Sequence, residues 1–148
     1  MHFLRKTAWM TFLWAGCTAL QAAPLDAASS QRAVQAYCQT IAAAGGLDEL
    51  EKHWSASFKR RQAALQAEQL EPLDAAARAS LQKVVMGMLK DMARKMPPQM
   101  DITCTASRCT LVAQLPSQWQ QTFVLVREQG VLVIDDAHTH FGAARPAR

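Results

Sequence analysis

The sequence predicts an α+β domain in which three N-terminal helices pack on a curved four-stranded antiparallel sheet. Apolar residues recur at helical spacing as far as Pro97-Pro98. Beyond those prolines, apolar and polar residues alternate, as they do in half-buried strands. Helices that precede the strands, rather than alternate with them, favour the α+β class over the α/β class.

The first helix is predicted from four apolar residues at positions i, i+3, i+4 and i+7, which form one helical face: Val34, Tyr37, Cys38 and Ile41. We expect Ser29-Ser30 to cap its start, because a side-chain oxygen there can accept from a free backbone amide. Gly45-Gly46 is expected to end it.

A capping box is indicated at residues 48–51, where an Asp acceptor is followed three residues later by Glu. The second helix is therefore expected to begin there and to run toward Leu65 or Leu70, before Glu71-Pro72 breaks it. Four of its side chains are expected to point inward: Leu47, Leu50, Trp54 and Phe58.

Asp74 is expected to cap the third helix, and Pro97-Pro98 ends it because proline cannot donate to the helical hydrogen-bond ladder. A continuous apolar stripe is expected to face the core: Leu81, Val84, Val85, Met88, Leu89, Met92 and Met96.

Four strands are predicted at residues 100–104, 109–115, 122–128 and 131–138. Turns are expected at Pro116-Ser117 and Gln129-Gly130. The third and fourth strands are apolar on both faces, so we expect them to be central or to curve around the helices. A curved sheet would leave a concave face, where ligand pockets are usually found.

Residues 1–22 have the pattern of a secretory signal peptide. Arg5 and Lys6 precede a short apolar run at residues 8–20, followed by small residues. The run is shorter than the roughly 20 residues that a membrane-spanning helix needs. We therefore expect cleavage near Ala22 or Ala23, a periplasmic or secreted bacterial protein, a single domain at 23–141 and a flexible tail at 142–148. An alternative is lipidation of Cys17, but Trp14 occupies a position where lipoprotein motifs carry an aliphatic residue.

The charge of the chain gives little support to nucleic-acid binding. The formal net charge is +4, and removal of Arg5 and Lys6 with the leader lowers it by two. No basic stripe interleaved with aromatic residues is present, so we expect no nucleic-acid partner.

The cysteines agree with an oxidising compartment. Cys104 and Cys109 can face each other across a hairpin, since facing Cα atoms lie about 4.5–5.5 Å apart and a disulfide can span that distance. The pattern predicts this disulfide. Cys38, on the apolar face of the first helix, is expected to be a buried and inert thiol.

The order of elements resembles the nuclear-transport-factor-2-like cone fold, and in particular its small exported bacterial members. The residues that carry the likeness are 37–46 leading into 47–50, and the hairpin at 122–136, which ends in Ile134-Asp135-Asp136. The resemblance implies helices packed on a curved sheet around a cavity. Cone folds include both enzymes and non-catalytic binders, so the resemblance does not select a function.

An enzyme of this type would place proton-transfer groups inside the cone, and the candidates are Tyr37, His53, Asp136 and His138. Acid–base catalysis needs hydrogen-bond reach and shifted pKa values. No nucleophile motif, phosphate loop or paired-carboxylate motif is present, so we expect no cofactor.

A metal site is a further alternative. Asp136, His138 and His140 share one face of an extended strand and could offer one oxygen and two nitrogens to zinc or copper. Methionine thioethers nearby in the sequence would suit cuprous copper, but methionines in a helical apolar stripe are more often core residues.

Non-catalytic binding is the function that the sequence favours. The partner would be a small apolar ligand in the cone or a protein on the sheet, for instance a secreted effector that an immunity-type protein blocks. The oligomeric state is left open. The expected ligand-binding residues are Tyr37, His53, Trp54, Phe58, Met88 and Asp136.

Overall fold

The computed structural model describes residues 24–142, which form three α-helices followed by a four-stranded sheet. The helices are α1 (Ala27–Ala43), α2 (Ala56–Leu70) and α3 (Ala75–Lys95), and the strands are β1 (Asp101–Cys104), β2 (Arg108–Gln114), β3 (Trp119–Glu128) and β4 (Val131–Phe141). Two 3₁₀ helices lie at Leu47–His53 and Pro116–Gln118. The α+β class and the order of helices before strands are confirmed. The predicted leader, with Cys17, and residues 143–148 lie outside the described range.

The sheet is an antiparallel meander in the order β1-β2-β3-β4. β3 is central, as expected, whereas β4 is an edge strand. The middle of that edge is covered by the chain before α2, because Trp54 bridges Ile134 in parallel and the Ser55 amide donates to the Ile134 carbonyl over 2.8 Å. Val133 and Ile134 are buried at this covered segment, whereas Val131 at the start of β4 is 61% exposed.

A bulge interrupts the pairing of β3 with β4. Val124 pairs with Asp136 but Leu125 pairs with Ile134, so Asp135 has no partner in the ladder. The Ser55 hydroxyl donates to Asp135 Oδ1 over 2.6 Å, and the Arg61 guanidinium donates to the Asp135 carbonyl. The extra residue of the bulge thus anchors the start of α2 to the sheet.

Both predicted turns are present, and both require left-handed backbone. Gln129 and Gly130 have φ of 49° and 80°, the conformation of a type I′ hairpin. The turn at Pro116-Ser117 is the short 3₁₀ segment, in which Ser117 and Gln118 have φ of 61° and 64°. After it β3 begins at Trp119, three residues before the predicted start.

The prediction of one continuous second helix was wrong. The segment forms a 3₁₀ helix, then an extended break at Trp54 and Ser55, then α2. Ser55 is the N-cap of α2 and accepts from the Phe58 amide over 2.9 Å. Pairing of this break with β4 outweighs the helical pattern, and Asp48 makes no cap hydrogen bond.

The predicted cap of the first helix was also misplaced. Asp26 is the N-cap of α1, and its carboxylate accepts from the Ser29 amide over 2.7 Å. The predicted cap of the third helix is confirmed, since Asp74 accepts from the Ala77 amide over 2.8 Å. That helix ends at Lys95, just before Pro97-Pro98.

The orientation of α3 differs from the predicted one. The helix packs on α1 and buries Met86, which is not part of the predicted stripe. Val84 and Met88, which are, remain 58% and 68% exposed. The apolar stripe of α3 is wider than the contact that α1 offers, so part of the stripe stays exposed.

The core lies between α1, the first 3₁₀ helix and one face of the sheet. Its fully buried large side chains are Val34, Ile41, Leu50, Leu111, Phe123, Leu125 and Ile134. The predicted disulfide is confirmed: Cys104 faces Cys109 in the β1–β2 register with their Cα atoms 4.1 Å apart. Cys38 is a buried free thiol, and burial raises its pKa to about 11.

Candidate functional site

An open groove runs beside α3 because α2 and α3 splay apart. α2 packs on β4 and α3 packs on α1, while the two helices make few contacts with each other. Two neighbouring cavities of about 240 Å³ and about 550 Å³ occupy the groove. Neither is enclosed, and both are lined by Tyr37, Leu89 and Ala137. These three residues therefore mark the place where the two cavities meet.

The smaller cavity lies between α2 and α3. Its apolar wall consists of Leu47, Trp54, Phe58, Leu65, Leu70, Leu81 and Val85, together with the three shared residues. Four glutamines complete it, and the burial of their side chains ranges from partial to none: Gln62, Gln66 and Gln69 of α2 and Gln82 of α3. No charged side chain lines this cavity among the residues that the structure describes.

The larger cavity lies between α3 and the sheet. Its lining adds apolar and polar residues in equal number: Met88, Met92, Leu115, Pro116, Trp119 and Phe123 are apolar, and Asp91, Lys95, Ser117, Gln121, His138 and Thr139 are polar. The charges of Asp91 and Lys95 are paired over 2.6 Å. Trp119 is 44% exposed and packs edge-on against Phe141.

Like Gln121, which is 3% exposed, Tyr37 is a deeply buried polar residue of the groove. It is 4% exposed, and its hydroxyl accepts a hydrogen bond from Trp54 Nε1 over 3.2 Å. Its hydroxyl proton has no acceptor within residues 24–142. Burial raises the pKa of Tyr37, partly offset by the Trp54 hydrogen bond, so the hydroxyl stays protonated at neutral pH.

His53 contacts Tyr37 but does not pair with it as an acid or base. Their rings meet edge-to-face with centroids 5.6 Å apart. His53 Nε2 lies 2.7 Å from Thr40 Oγ1, and the single Thr40 proton is donated to the Ala36 carbonyl. His53 Nε2 is therefore the donor to Thr40. Burial lowers the pKa of His53, which favours the neutral ring.

The candidates on β4 lie apart from the groove centre. Asp136 and His140 line neither cavity, while His138 borders the larger one. His138 Nδ1 lies 3.2 Å from Asp136, and His140 Nε2 lies 2.7 Å from Gln120 Oε1. Within residues 24–142, no group of three His, Cys, Asp or Glu residues is placed to hold a metal ion. The three candidate ligands thus share a strand without forming a metal centre.

The structure places Tyr37, Trp54 and Phe58 on one side of the groove and Met88 on the other. His53 contacts the Tyr37 ring but, like Asp136, lines neither cavity. Sequence reasoning missed the glutamines of α2. Their spacing of i, i+4 and i+7 could have identified them, because it puts three amides on one helical face.

Comparisons with known proteins gave no match to a family model, a curated protein or a solved structure. The resemblance to the cone fold therefore stays a prediction. Over residues 24–142 no helix combines the length and the apolar character needed to cross a membrane.

Proposed function

We propose that this protein is an exported, non-catalytic binder of a small, elongated apolar molecule. The observation that carries the proposal is the groove itself, in which two mainly apolar cavities meet at Tyr37. Their volumes are close to those of small-molecule sites, which are about 300–1,000 Å³ and are lined by apolar side chains with a few polar groups.

The incomplete packing beside the two cavities indicates a ligand site rather than a part of the hydrophobic core. Cores are close-packed, and an apolar helix face normally finds a partner within the domain. Here Leu65 and Met88 stay 47% and 68% exposed beside the cavities. An apolar ligand that filled the groove would cover these side chains and supply the contacts that α2 and α3 do not make with each other.

The hydrogen bonds of Tyr37 and His53 support non-catalytic binding rather than catalysis. The Tyr37 hydroxyl and the His53 ring are hydrogen-bonded to Trp54 and Thr40 rather than to each other. Tyr37 keeps its proton at neutral pH and so suits the role of a hydrogen-bond donor to a ligand. Export is supported by the predicted leader and by the disulfide in a small domain.

The test uses N-phenyl-1-naphthylamine, a neutral apolar dye whose emission rises in apolar surroundings. We expect saturable binding to the wild-type chain. Ala137→Phe should abolish it, because position 137 lies where the cavities meet. The matched control is Val131→Phe, which puts the same side chain on an exposed site of the same strand and should leave binding intact.

Tryptophan emission gives a second measurement that does not depend on a variant with a filled groove. Trp54 lines the smaller cavity and Trp119 the larger one. Energy transfer to the bound dye should therefore fall in both Trp54→Phe and Trp119→Phe. Absence of saturable binding to the folded wild-type chain would overturn the proposal.

A further inference from the structure

We propose that the ligand is a neutral acyl amide or acyl ester, whose carbonyl oxygen accepts a hydrogen bond from the Tyr37 hydroxyl where the two cavities meet. This inference rests on the proposed function and names the chemical class of the ligand.

The hydrogen bonding of Tyr37 indicates which kind of polar group a ligand would place beside it. Its hydroxyl oxygen already accepts from Trp54 Nε1, so what it can still offer is its proton. The side chain is almost wholly buried and lines both cavities. A buried donor without an acceptor is costly. A ligand that spans the groove would therefore be selected for an acceptor, and not a donor, at this point of its length.

The charges that line the two cavities indicate whether the ligand is neutral or anionic. Among the described residues, no charged side chain lines the smaller cavity. At the larger one, Lys95 is paired with Asp91, and His138 Nδ1 lies 3.2 Å from Asp136. A carboxylate in the smaller cavity would lose its hydration without gaining a cation, which is unfavourable. A neutral carbonyl pays much less. The lining thus favours an amide or an ester over a free fatty acid.

The side chains that line each cavity indicate which part of the ligand would lie there. The larger cavity offers Met88, Met92 and Phe123 to an acyl chain, and methionine adapts well to flexible chains. The smaller cavity has the glutamines of α2 and α3 along its wall, and each amide side chain can donate and accept. A head group that continues beyond the carbonyl with neutral polar atoms would be bound by these glutamines.

The test compares three probes on the wild-type chain and on Tyr37→Phe. N-butyldodecanamide has a carbonyl within the chain, hexadecanoate is an anion with the same number of carbon atoms, and N-phenyl-1-naphthylamine has no carbonyl. We expect the amide to displace the dye and to bind at least about tenfold more tightly than hexadecanoate, the ratio that corresponds to one hydrogen bond or a modest desolvation cost. Tyr37→Phe should weaken the amide roughly five- to tenfold and change the dye less than about twofold.

The glutamines supply a charge test with a matched control. Gln66→Lys places a cation beside the smaller cavity and should improve hexadecanoate binding, whereas Gln35→Lys on the exposed side of α1 should not. If the dye binds but Tyr37→Phe weakens dye and amide equally, or neither, the carbonyl assignment is wrong and the proposed function stands. If the dye does not bind to the folded protein, both proposals fail.

Discussion

Trp54 Nε1 donates a hydrogen bond to the Tyr37 hydroxyl over 3.2 Å, and the two residues lie on different elements. Trp54 also forms the parallel bridge to Ile134 at the edge of the sheet. The backbone of Trp54 therefore joins the chain before α2 to the sheet, while its indole holds the buried Tyr37 hydroxyl. Fold and candidate site share this contact.

Ser55→Ala should destabilise the fold more than an ordinary helix cap would. The Ser55 hydroxyl accepts from the Phe58 amide and donates to Asp135, and Ser55 is fully buried. Loss of the cap and of a buried partner together should cost about 2–3 kcal/mol of unfolding free energy. Urea unfolding measures this.

The matched control is Asp74→Ala, which removes the cap of α3 alone. We expect it to cost about 1 kcal/mol. Equal losses in the two variants would mean that the Ser55–Asp135 hydrogen bond contributes nothing to stability.

Reduction of the Cys104–Cys109 disulfide should destabilise the protein only moderately. The two cysteines are five residues apart, so the closed loop is short. The chain-entropy model gives about 2 kcal/mol for such a loop. Urea unfolding with and without reductant should show this difference in the wild-type chain and none in the Cys104→Ala/Cys109→Ala double variant. A reductant effect that persists in the double variant would assign it to Cys38 instead.

His53 should make stability fall as the solution is acidified. Burial lowers its pKa in the folded state below the ordinary 6.5, so the unfolded chain binds the proton more readily. The contribution of the neutral ring is complete above pH 6.5 and is lost as the pH falls below that value. His53→Gln, which can still donate to Thr40, should flatten the dependence of the unfolding free energy between pH 7.5 and pH 5.

Asp26 acts in a separate range. Its pKa is lowered from 3.8, mainly by the Ser29 amide, so its contribution is present above pH 3.8 and lost below. A His53→Gln profile identical to the wild-type one would contradict the assignment.

The orientation of α3 is tested by two methionines that lie two residues apart. Met86 is 7% exposed and Met88 is 68% exposed. Met86→Ala should therefore cost about 2–5 kcal/mol, whereas Met88→Ala should change stability by about 0.5 kcal/mol or less. Thermal or urea unfolding of both variants decides this. A larger loss of stability in Met88→Ala than in Met86→Ala would support the orientation that the sequence predicted.

Local signals in the sequence were sufficient for the fold class, the third helix and the disulfide. Asp74, the proline pair after α3 and the two-residue period beyond it each act within a few residues. The break at Ser55 could not be predicted in this way. It depends on hydrogen bonds to Ile134 and Asp135, about eighty residues later in the chain.

In the candidate site, too, some features could be predicted from local sequence signals and others depend on long-range contacts. Tyr37, Trp54, Phe58 and Met88 were proposed from their type and position, and all four line the groove. His53 and Asp136 do not line it. For Asp136 the reason is that the bulge at Asp135 and the strand register decide which side chains of β4 face inward. The exposure of Val84 and Met88 on α3 follows from the packing of this helix on α1, which no local pattern reveals.

The most direct test of the groove as a ligand site is a nuclear magnetic resonance titration of the chain carrying ¹³C-labelled methionine methyl groups, with N-butyldodecanamide as the probe. Met88 and Met92 line the larger cavity, whereas Met100 lines neither cavity. We predict saturable shifts of the Met88 and Met92 signals with little change at Met100. Shifts confined to Met100, or none on the folded chain at saturating probe, would contradict the account.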